Sequence, residues 1–181
     1  SEMCIRDSKE IKNLVRRFMP ELFDSEFDQM KRIAGELASN LVERLSRDCQ
    51  TTSDTETLTA QLQQFVRDYS FIQYVYVTDV KGHSTAIAIS DPGDQKGYKA
   101  FPIGFDYSNR EWFQQPMRTG KLHIMNVHQS QVTGQLIITV STVITDANDE
   151  IIGVLGADIQ LEEIIRRAES LEAEEHIGEE E

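Results

Sequence analysis

The chain has 181 residues, of which 18 are basic and 31 acidic, so its formal charge is −13. This length fits one domain with a helical extension, and a hydrophobic fraction of 39% is typical of a globular protein rather than a disordered one. Seven acidic residues and no Lys or Arg lie within residues 168–181, so more than half of the charge imbalance belongs to a C-terminal tail. The chain has no basic stretch suited to phosphate backbones, and we expect no nucleic-acid partner.

The two cysteines, Cys4 and Cys49, have neither the number nor the spacing of a disulfide framework or a metal site. No stretch of the sequence reaches the roughly 18 apolar residues that a membrane-spanning helix needs. The N-terminus also lacks the apolar region of a signal peptide. We therefore expect no membrane span in this chain, and we set residues 1–6 aside as the edge of a fragment.

Residues 7–50 are predicted to form an N-terminal helical segment. Within it, apolar residues recur at three- and four-residue steps, which places them on one stripe of a helix from Leu22 to Arg47: Met30, Ile33, Ala34, Leu37, Ala38, Leu41, Val42 and Leu45. Two uses of this stripe remain open. It packs onto the rest of the domain as core, or it forms a seam for a second copy of the chain.

A second helix and a β-hairpin are predicted next. Ser53 followed by Glu56 fits a capping box, which predicts a helix start. Residues 71–78 are aromatic and β-branched, as is typical of a strand, and residues 83–89 return as its hairpin partner after a turn. Residues 90–104 hold two of the four prolines and three of the ten glycines, and this composition predicts a long loop.

The second half of the chain continues with a short helix over residues 109–117. Three strands and a closing helix are predicted after it, over residues 122–127, 135–145, 151–159 and 161–171. Helices segregated from one antiparallel sheet indicate an α+β fold. We assign residues 51–171 to the folded core and residues 172–181 to an acidic tail.

The sequence lacks a nucleophile elbow, an HExxH pair, a P-loop and a dinucleotide fingerprint, so we expect neither an enzyme nor a cofactor. Gly153 and Gly156 form a GxxG inside a strand, and this pattern predicts close backbone packing. His123 and His128 are five residues apart on a predicted strand, which places them on opposite faces. They would then be unable to bind one metal ion together, so we expect no metal site.

The segment from Phe105 to Phe113 (FDYSNREWF) carries most of the chemistry. It places Arg110 beside Tyr107, Trp112 and Phe113, next to the predicted long loop. An arginine can hold a carboxylate through two parallel hydrogen bonds, and an aromatic surround strengthens that contact. Two interpretations remain open. Either these residues form a ligand-binding site, or Arg110 makes a structural ion pair and Trp112 is a core residue.

From Phe105 to Ile159 the chain resembles Cache domains (PDC sensors), the PAS-like ligand-binding domains of bacterial chemoreceptors and sensor histidine kinases. The matching pieces follow in order: the hairpin YVYVTDVKG, the RxW[YF] element at residues 110–113, Thr119-Gly120, the strand from Thr133 to Ser141, and GVLGADI at residues 153–159. The resemblance extends over residues 29–171. It implies a single domain whose PAS-like antiparallel sheet is covered by a long N-terminal helix.

The resemblance also implies positions for a ligand. In the amino-acid-binding branch of the family, the Arg and Trp of RxW[YF] hold the ligand carboxylate, and an Asp near the end of the last strand holds the ammonium group. Arg110, Trp112 and Asp158 occupy the matching positions. Asp158 has a second interpretation, as the residue that caps a helix beginning at Gln160.

Other positions depart from that branch. Phe105 and Phe113 replace tyrosines, and His128 and Ser130 replace a Tyr-x-Asp pair. These changes remove three hydroxyl groups and one of two carboxylates. A small carboxylate-containing metabolite, with His128 as an extra donor, is therefore the expected ligand rather than an amino acid.

We therefore expect a small-molecule sensor domain for bacterial signal transduction. Its expected binding residues are Arg110, Trp112, Tyr107, Phe113, His128 and Asp158. The alternative is a module for dimerisation or protein interaction through the N-terminal helix, and a homodimer is compatible with both. A complete chain would be cytoplasmic, whereas an excised receptor domain would be periplasmic.

Overall fold

A computed structural model describes residues 28–50, 54–91, 93–130, 133–163 and 166. The chain divides into two compact units, residues 1–34 and residues 35–181, and the description below concerns the second. The first predicted helical turns, most of the closing helix and the acidic tail lie outside the described residues. Each helix among the described residues is too short or too polar to cross a membrane.

In the part of the chain that the structure describes, two helices precede the sheet: α1 (Asp28–Cys49) and α2 (Thr55–Asp68). In α1 the predicted stripe is buried at its described positions Ala38, Leu41, Val42 and Leu45, while Leu37 is 40% exposed. The N-cap of α2 is Asp54 and not Ser53, so the predicted capping box is wrong. The Asp54 carboxylate accepts hydrogen bonds from the backbone N–H groups of Glu56 and Thr57, at 3.4 and 2.9 Å.

Six strands form one antiparallel sheet: β1 (Ile72–Thr78), β2 (Ser84–Ile89), β3 (His123–Ile124), β4 (His128–Gln129), β5 (Leu136–Thr145) and β6 (Ile151–Gln160). Their order is β2-β1-β6-β5-β3, and β4 also pairs with β5. Valine, isoleucine and threonine dominate β5, which suits a strand paired on both sides. The predicted α+β fold is confirmed.

The predicted long loop contains a short helix, α3 (Gln95–Ala100), so the loop prediction is wrong in its centre. Asp94 caps α3: its Oδ1 accepts from the Gly97 N–H at 2.8 Å. A glycine at position 97 is unfavourable for a helix, but no larger residue fits there. A Cβ there would lie 2.7 Å from a ring carbon of Tyr74. The next helix, α4 (Glu111–Thr119), begins after Arg110, two residues later than the predicted range of 109–117, and ends at Gly120 with φ 67°.

The strand predicted over residues 122–127 is wrong, because the chain leaves the sheet between β3 and β4. In the register of β5, His123 lies opposite Ser141 and His128 lies opposite Ile137. Ser141 and Ile137 are an even number of residues apart, so both histidines belong to one face of the sheet. The argument that separated them is therefore wrong. Among the described residues, no group of three potential ligands could hold a metal ion.

The two faces of the sheet have different neighbours. Tyr74 and Thr139 flank Asp158 in register, and Tyr76 lies opposite Gly156, so these residues share one face. Helix α4 contacts β5, β6 and β3, whereas α2 contacts β1 and β2. Ser46 on α1 donates a hydrogen bond to the Val143 carbonyl of β5 at 2.9 Å. Both faces are thus covered by helices.

The outer edge of β2 is partly paired with the segment at residues 104–107. The Gly104 N–H donates to the Ser84 carbonyl at 2.7 Å, and the Ser84 N–H donates to the Phe105 carbonyl at 2.9 Å. Tyr107 continues the pairing by donating to the Gly82 carbonyl at 2.9 Å. This pairing places Tyr107 and the start of α4 next to the aromatic face of the sheet.

Candidate ligand-binding site

A cavity of about 430 Å³ lies on the Tyr76–Asp158 face of the sheet, under α4 and the segment between α3 and α4. Five of the six predicted site residues line it: Tyr107, Arg110, Trp112, His128 and Asp158. Phe113 is not among the lining residues. It is 6% exposed and packs its ring edge-on against Trp112 at a centroid distance of 6.4 Å.

Asp158 is the buried carboxylate of this cavity, with 6% of its surface exposed. Its Oδ1 accepts hydrogen bonds from the Tyr76 hydroxyl at 2.8 Å and the Thr139 hydroxyl at 2.9 Å. Burial raises the pKa of Asp158, and the two hydroxyl donors and His128 act in the opposite direction. Strand β6 continues through Gln160, and Asp158 is committed to these two side chains. The interpretation of Asp158 as a helix cap is therefore wrong.

An aromatic cluster packs beside the cavity and is made of Tyr74, Tyr76, Phe101, Tyr107, Trp112 and Phe113. Four of its members line the cavity: Tyr76, Phe101, Tyr107 and Trp112. Phe101 stacks on Tyr76 at a centroid distance of 5.2 Å, and Trp112 meets Tyr76 edge-on at 4.6 Å. Gly156 makes room for the Tyr76 ring, because a Cβ there would lie 2.3 Å from a ring carbon. A Cβ at Gly153 would meet the Thr78 carbonyl at 2.1 Å. The close packing predicted for the GxxG pattern is confirmed.

Arg110 lies at the exposed side of the cavity. It is the N-cap residue of α4, but its side chain makes no capping hydrogen bond. Burial raises the pKa of Tyr107, and the positive charge of Arg110 opposes that shift. The neighbouring Glu111 carboxylate pairs with His123 at 2.9 Å. Among the described residues no ion pair involves Arg110, and Arg110 is one of the residues that line the cavity.

Trp112 combines both interpretations left open by the sequence. It is 8% exposed and belongs to the aromatic cluster, so it is part of the core. It also lines the cavity beside Arg110. The indole is therefore anchored by its aromatic neighbours and also forms part of the cavity wall.

His128 lies on β4, on the side of the cavity away from α3. Its Nδ1 lies 2.8 Å from the Asn126 carbonyl oxygen, and its Nε2 lies 3.5 Å from the Thr139 hydroxyl oxygen. Ser130, which replaces the family's second Asp, also lines the cavity and is 6% exposed. The Ser130 hydroxyl therefore stands where the resemblance implies a second carboxylate, and the His128 imidazole stands where it implies a tyrosine.

Ten of the 15 lining residues were not among the predicted site residues, and Tyr76, Phe101 and Thr139 are three of them. Tyr76 and Thr139 could have been found, because each belongs to a predicted strand and the alternation of side chains puts them on one face with Asp158. Phe101 had no such signal, because it follows a helix that was predicted as loop.

Three comparisons place this geometry among known proteins. The family model described as "Cache domain" matches residues 3–180. The chain belongs to the Cache domain family. The resemblance found in the sequence is thereby confirmed.

Two curated relatives extend well beyond this chain. A citrate (Re)-synthase of Syntrophus aciditrophicus is 37% identical over 163 residues, which are 90% of this chain and 26% of that protein. The methyl-accepting chemotaxis protein McpA of Pseudomonas putida is 23% identical over 134 residues, 73% of this chain and 19% of that protein. The chain thus spans about a quarter or less of these relatives.

Solved chemoreceptor domains share the fold. The ligand-binding domain of PctC from Pseudomonas aeruginosa, in complex with GABA, has a TM-score of 0.61 at 22% identity, over 86% of this chain and 67% of that one. The domain of Tlp3 from Campylobacter jejuni, in complex with 4-methylisoleucine, has a TM-score of 0.60 at 17% identity, over 75% and 55%. The domain of CtaA from Pseudomonas fluorescens, in complex with L-alanine, has a TM-score of 0.57 at 23% identity, over 81% and 61%.

Proposed function

We propose that this chain is the ligand-binding sensor domain of a bacterial signalling protein and that the cavity on the aromatic face binds its ligand. One observation carries the proposal: a single cavity brings together an exposed arginine without an ion-pair partner among the described residues, an aromatic lining and a buried carboxylate. A concave, mostly apolar site with a few convergent polar groups is typical of small-molecule binding. The Cache family and the chemotaxis relative support the same function.

We propose a small carboxylate-containing metabolite as the ligand. The guanidinium of Arg110 would hold the carboxylate, because two parallel charge-assisted hydrogen bonds suit that group. Trp112 and Tyr107 would cover the apolar part of the ligand, and Asp158 and His128 would contact its far end. The amino acids and GABA in the titles of the solved neighbours also carry a carboxylate, which supports this class.

A binding module fits this site better than an enzyme. The site combines one guanidinium, aromatic rings and a carboxylate that already accepts two hydroxyl donors. The enzyme name of the Syntrophus relative describes a protein of which this chain matches a quarter. We therefore assign no reaction to this chain.

The test is a thermal-shift screen of small carboxylic acids, amines and purines against the wild type and Arg110→Ala. A ligand at 100 times its Kd stabilises the protein by about 2.7 kcal/mol, which raises Tm by roughly 5–10 °C. We expect a carboxylate to give such a shift in the wild type and to lose most of it in Arg110→Ala.

Arg118→Ala is the matched control. Arg118 lies on the same helix, is exposed, and donates to Gln115 at 2.7 Å, away from the cavity. The control should keep the wild-type shift. If no compound shifts the wild type, the sensor function is rejected. If one compound shifts the wild type and Arg110→Ala equally, the function survives but the Arg110 site is wrong.

A further inference from the structure

The cavity is lined by more carboxylates than guanidinium or ammonium groups. Arg110 is the one such cation among the described residues that line it, whereas Asp158 and Glu111 are both carboxylates. Glu111 has a side chain that is 55% exposed, and its Oε1 lies 2.9 Å from His123 Nε2. Asp158 is 6% exposed, and among the described residues no ion pair involves it. A carboxylate held by Arg110 would therefore leave the buried charge of Asp158 without an opposite charge.

Four aromatic rings that line the cavity pack in a closed group, which we call the aromatic wall: Tyr76, Phe101, Tyr107 and Trp112. Between ring centroids, Tyr76 lies 5.2 Å from Phe101 and 4.6 Å from Trp112. Tyr107 closes the group, at 5.5 Å from Trp112 and 6.4 Å from Phe101. These spacings leave no gap for another group between neighbouring rings, so a ligand meets the wall from the cavity side.

Tyr76 connects the aromatic wall to Asp158. Its ring belongs to the wall, and its hydroxyl donates to Asp158 Oδ1 at 2.8 Å. Thr139 donates to the same oxygen at 2.9 Å, so two hydrogen bonds of the carboxylate are already made within the protein. The buried carboxylate thus lies within one tyrosine side chain of the aromatic rings, and a single ligand group can contact both.

Aromatic rings beside a buried carboxylate suit a cation that has no N–H groups. A cation within about 6 Å of a ring centroid is attracted by the ring, and quaternary ammonium groups are bound in this way. A primary ammonium loses its hydrogen bonds to water on burial and has three hydrogens for which to find new acceptors. A quaternary ammonium has no such hydrogens, and its methyl groups gain from contact with an apolar wall.

We propose that the cavity binds a carboxylate that also carries a quaternary ammonium group, that is, a betaine. Arg110 would hold the carboxylate, the aromatic wall would contact the methylated nitrogen, and Asp158 would balance its charge. The inference rests on the proposed binding site and names the class of ligand that this site selects. The cavity volume of about 430 Å³ lies within the range of roughly 300–1,000 Å³ that is typical of small-molecule sites.

Three compounds of equal chain length separate charge from shape. γ-Butyrobetaine carries a trimethylammonium group, GABA carries a primary ammonium at the same position, and 5,5-dimethylhexanoate carries an uncharged tert-butyl group there. Isothermal titration calorimetry at pH 8, well above the ordinary histidine pKa of about 6.5, keeps histidine charge out of the comparison. We expect γ-butyrobetaine to bind about tenfold more tightly than either of the others. A shorter set, with glycine betaine, glycine and 3,3-dimethylbutanoate, covers a ligand of the same class with one carbon between its two charges.

Phe101→Leu tests the aromatic wall, because leucine keeps an apolar side chain but removes one ring. We expect it to weaken binding of the betaine about fivefold and to leave the uncharged compound unchanged. Phe105→Leu is the matched control, since Phe105 is 48% exposed and is not among the lining residues. The control should behave as the wild type does. Equal weakening of the betaine and the uncharged compound in Phe101→Leu would show that the ring supplies only apolar contact, and it would overturn the proposal.

Asp158→Asn and Glu111→Gln separate the two carboxylates. Asparagine keeps an oxygen that can accept from Tyr76 and Thr139, so we expect Asp158→Asn to fold and to lose most of the preference for the betaine over the uncharged compound. Glu111→Gln should keep most of that preference, because Glu111 is the exposed carboxylate of the pair. Loss of the preference in Glu111→Gln and its retention in Asp158→Asn would place the cation at the cavity opening and overturn the proposal.

The wild type alone also decides between the inference and the sensor function. If neither betaine binds more tightly than the other two members of its set, or if no member of either set binds, the inference is overturned. The sensor function then stands as long as another carboxylate raises Tm in the screen and Arg110→Ala removes the shift. The inference and the sensor function can therefore fail separately.

Discussion

Asp158 is a buried carboxylate, and its burial has a cost in free energy. Its carboxylate is buried on the central strand β6 and accepts two hydroxyl hydrogen bonds, both at the same oxygen, Oδ1. Tyr76 and Thr139 thereby hold the carboxylate in one orientation before any ligand arrives. The carboxylate is held in this orientation at the expense of its burial.

We predict that Asp158→Asn stabilises the unliganded protein at neutral pH by about 1 kcal/mol, or roughly 2–4 °C in Tm. Asparagine can still accept from Tyr76 and Thr139 but carries no charge to bury. Burial raises the pKa of Asp158. The free-energy cost of burying the ionised carboxylate is therefore present in full above the folded-state pKa, and it is relieved as the pH falls towards the unfolded-state pKa of 3.8.

Thermal unfolding of the variant and the wild type at about pH 8 and below pH 3.8 checks this prediction. The stabilisation should be present at the higher pH and absent at the lower one. Glu43→Gln, which removes an exposed carboxylate on α1, should show no such difference. Equal destabilisation by Asp158→Asn at both pH values would contradict the argument from burial.

Among the elements, α3 is connected to the ligand cavity at both of its ends. At its start, Asp94 caps the helix and its Oδ2 accepts from the Tyr74 hydroxyl at 2.7 Å. At its end, Phe101 stacks on Tyr76, whose hydroxyl reaches Asp158. A six-residue helix has little stability of its own, so these two anchors determine its position.

We predict that Tyr74→Phe loosens α3 without unfolding the sheet. Removing one hydroxyl that donates to a carboxylate costs about 1 kcal/mol, which corresponds to roughly fivefold faster amide exchange in the affected segment. Hydrogen exchange at Gly97 and Tyr98 should accelerate by this factor, while exchange in β5 and β6 should not change.

Tyr98→Phe is the matched control, because Tyr98 lies on the same helix with its side chain 40% exposed. It should leave the exchange in α3 unchanged. Uniform acceleration through the whole domain in Tyr74→Phe would show that the hydroxyl supports the fold as a whole rather than this helix.

Predictability differs between elements for physical reasons. Strands such as β1 and β5 are continuous runs of β-branched and aromatic residues, so their local preference and their tertiary use agree. Helix α3 depends on a tertiary contact: Gly97 weakens a helix locally, yet it is required because the Tyr74 ring leaves no room for a Cβ. Likewise, the sequence between β3 and β4 contains no proline or glycine that would predict the break between these strands.

The candidate site shows the same division. Arg110 and Trp112 could be named from one short motif, because they are neighbours in the chain and in the cavity. The choice between two roles for Asp158 could not be made from the sequence. It depends on the Tyr76 hydroxyl, which is 82 residues away and reaches Asp158 through the register of β1 on β6. As ligand contacts, all six residues stay predictions: Arg110, Trp112, Tyr107, Phe113, His128 and Asp158.

On the scale of the whole molecule, two functions were considered: ligand sensing, and dimerisation or protein interaction through the N-terminal helix. The burial of the apolar stripe of α1 bears on the choice between them. At its described positions within residues 35–181, four residues of the stripe are buried in the same unit as the sheet: Ala38, Leu41, Val42 and Leu45. Leu37, at 40% exposure, is the part left for other contacts. Dimerisation through the helix stays a prediction, but four of the five stripe residues whose burial is described are already used as core.

We predict that Leu45→Ala lowers the free energy of unfolding by about 2–4 kcal/mol at every protein concentration, because Leu45 is 3% exposed within its own chain. Urea unfolding at two concentrations a hundredfold apart measures this. Glu43→Ala, on the exposed side of the same helix turn, should change little.

A seam between two copies would give a different result. The midpoint would then rise with protein concentration in the wild type and lose that dependence in Leu45→Ala. Sedimentation of the wild type at the higher concentration provides the direct comparison, and a stable dimer that Leu45→Ala dissociates would contradict the core assignment.

The pairing of residues 104–107 along β2 affects how this protein behaves at high concentration. An open sheet has two edges, and an unpaired edge is a template on which another molecule can add a strand. Here the backbone groups of Ser84 and Gly82 at one edge are already occupied by Gly104, Phe105 and Tyr107. The segment that brings Tyr107 to the cavity therefore also occupies this part of the edge, which is then not available as a template for intermolecular pairing.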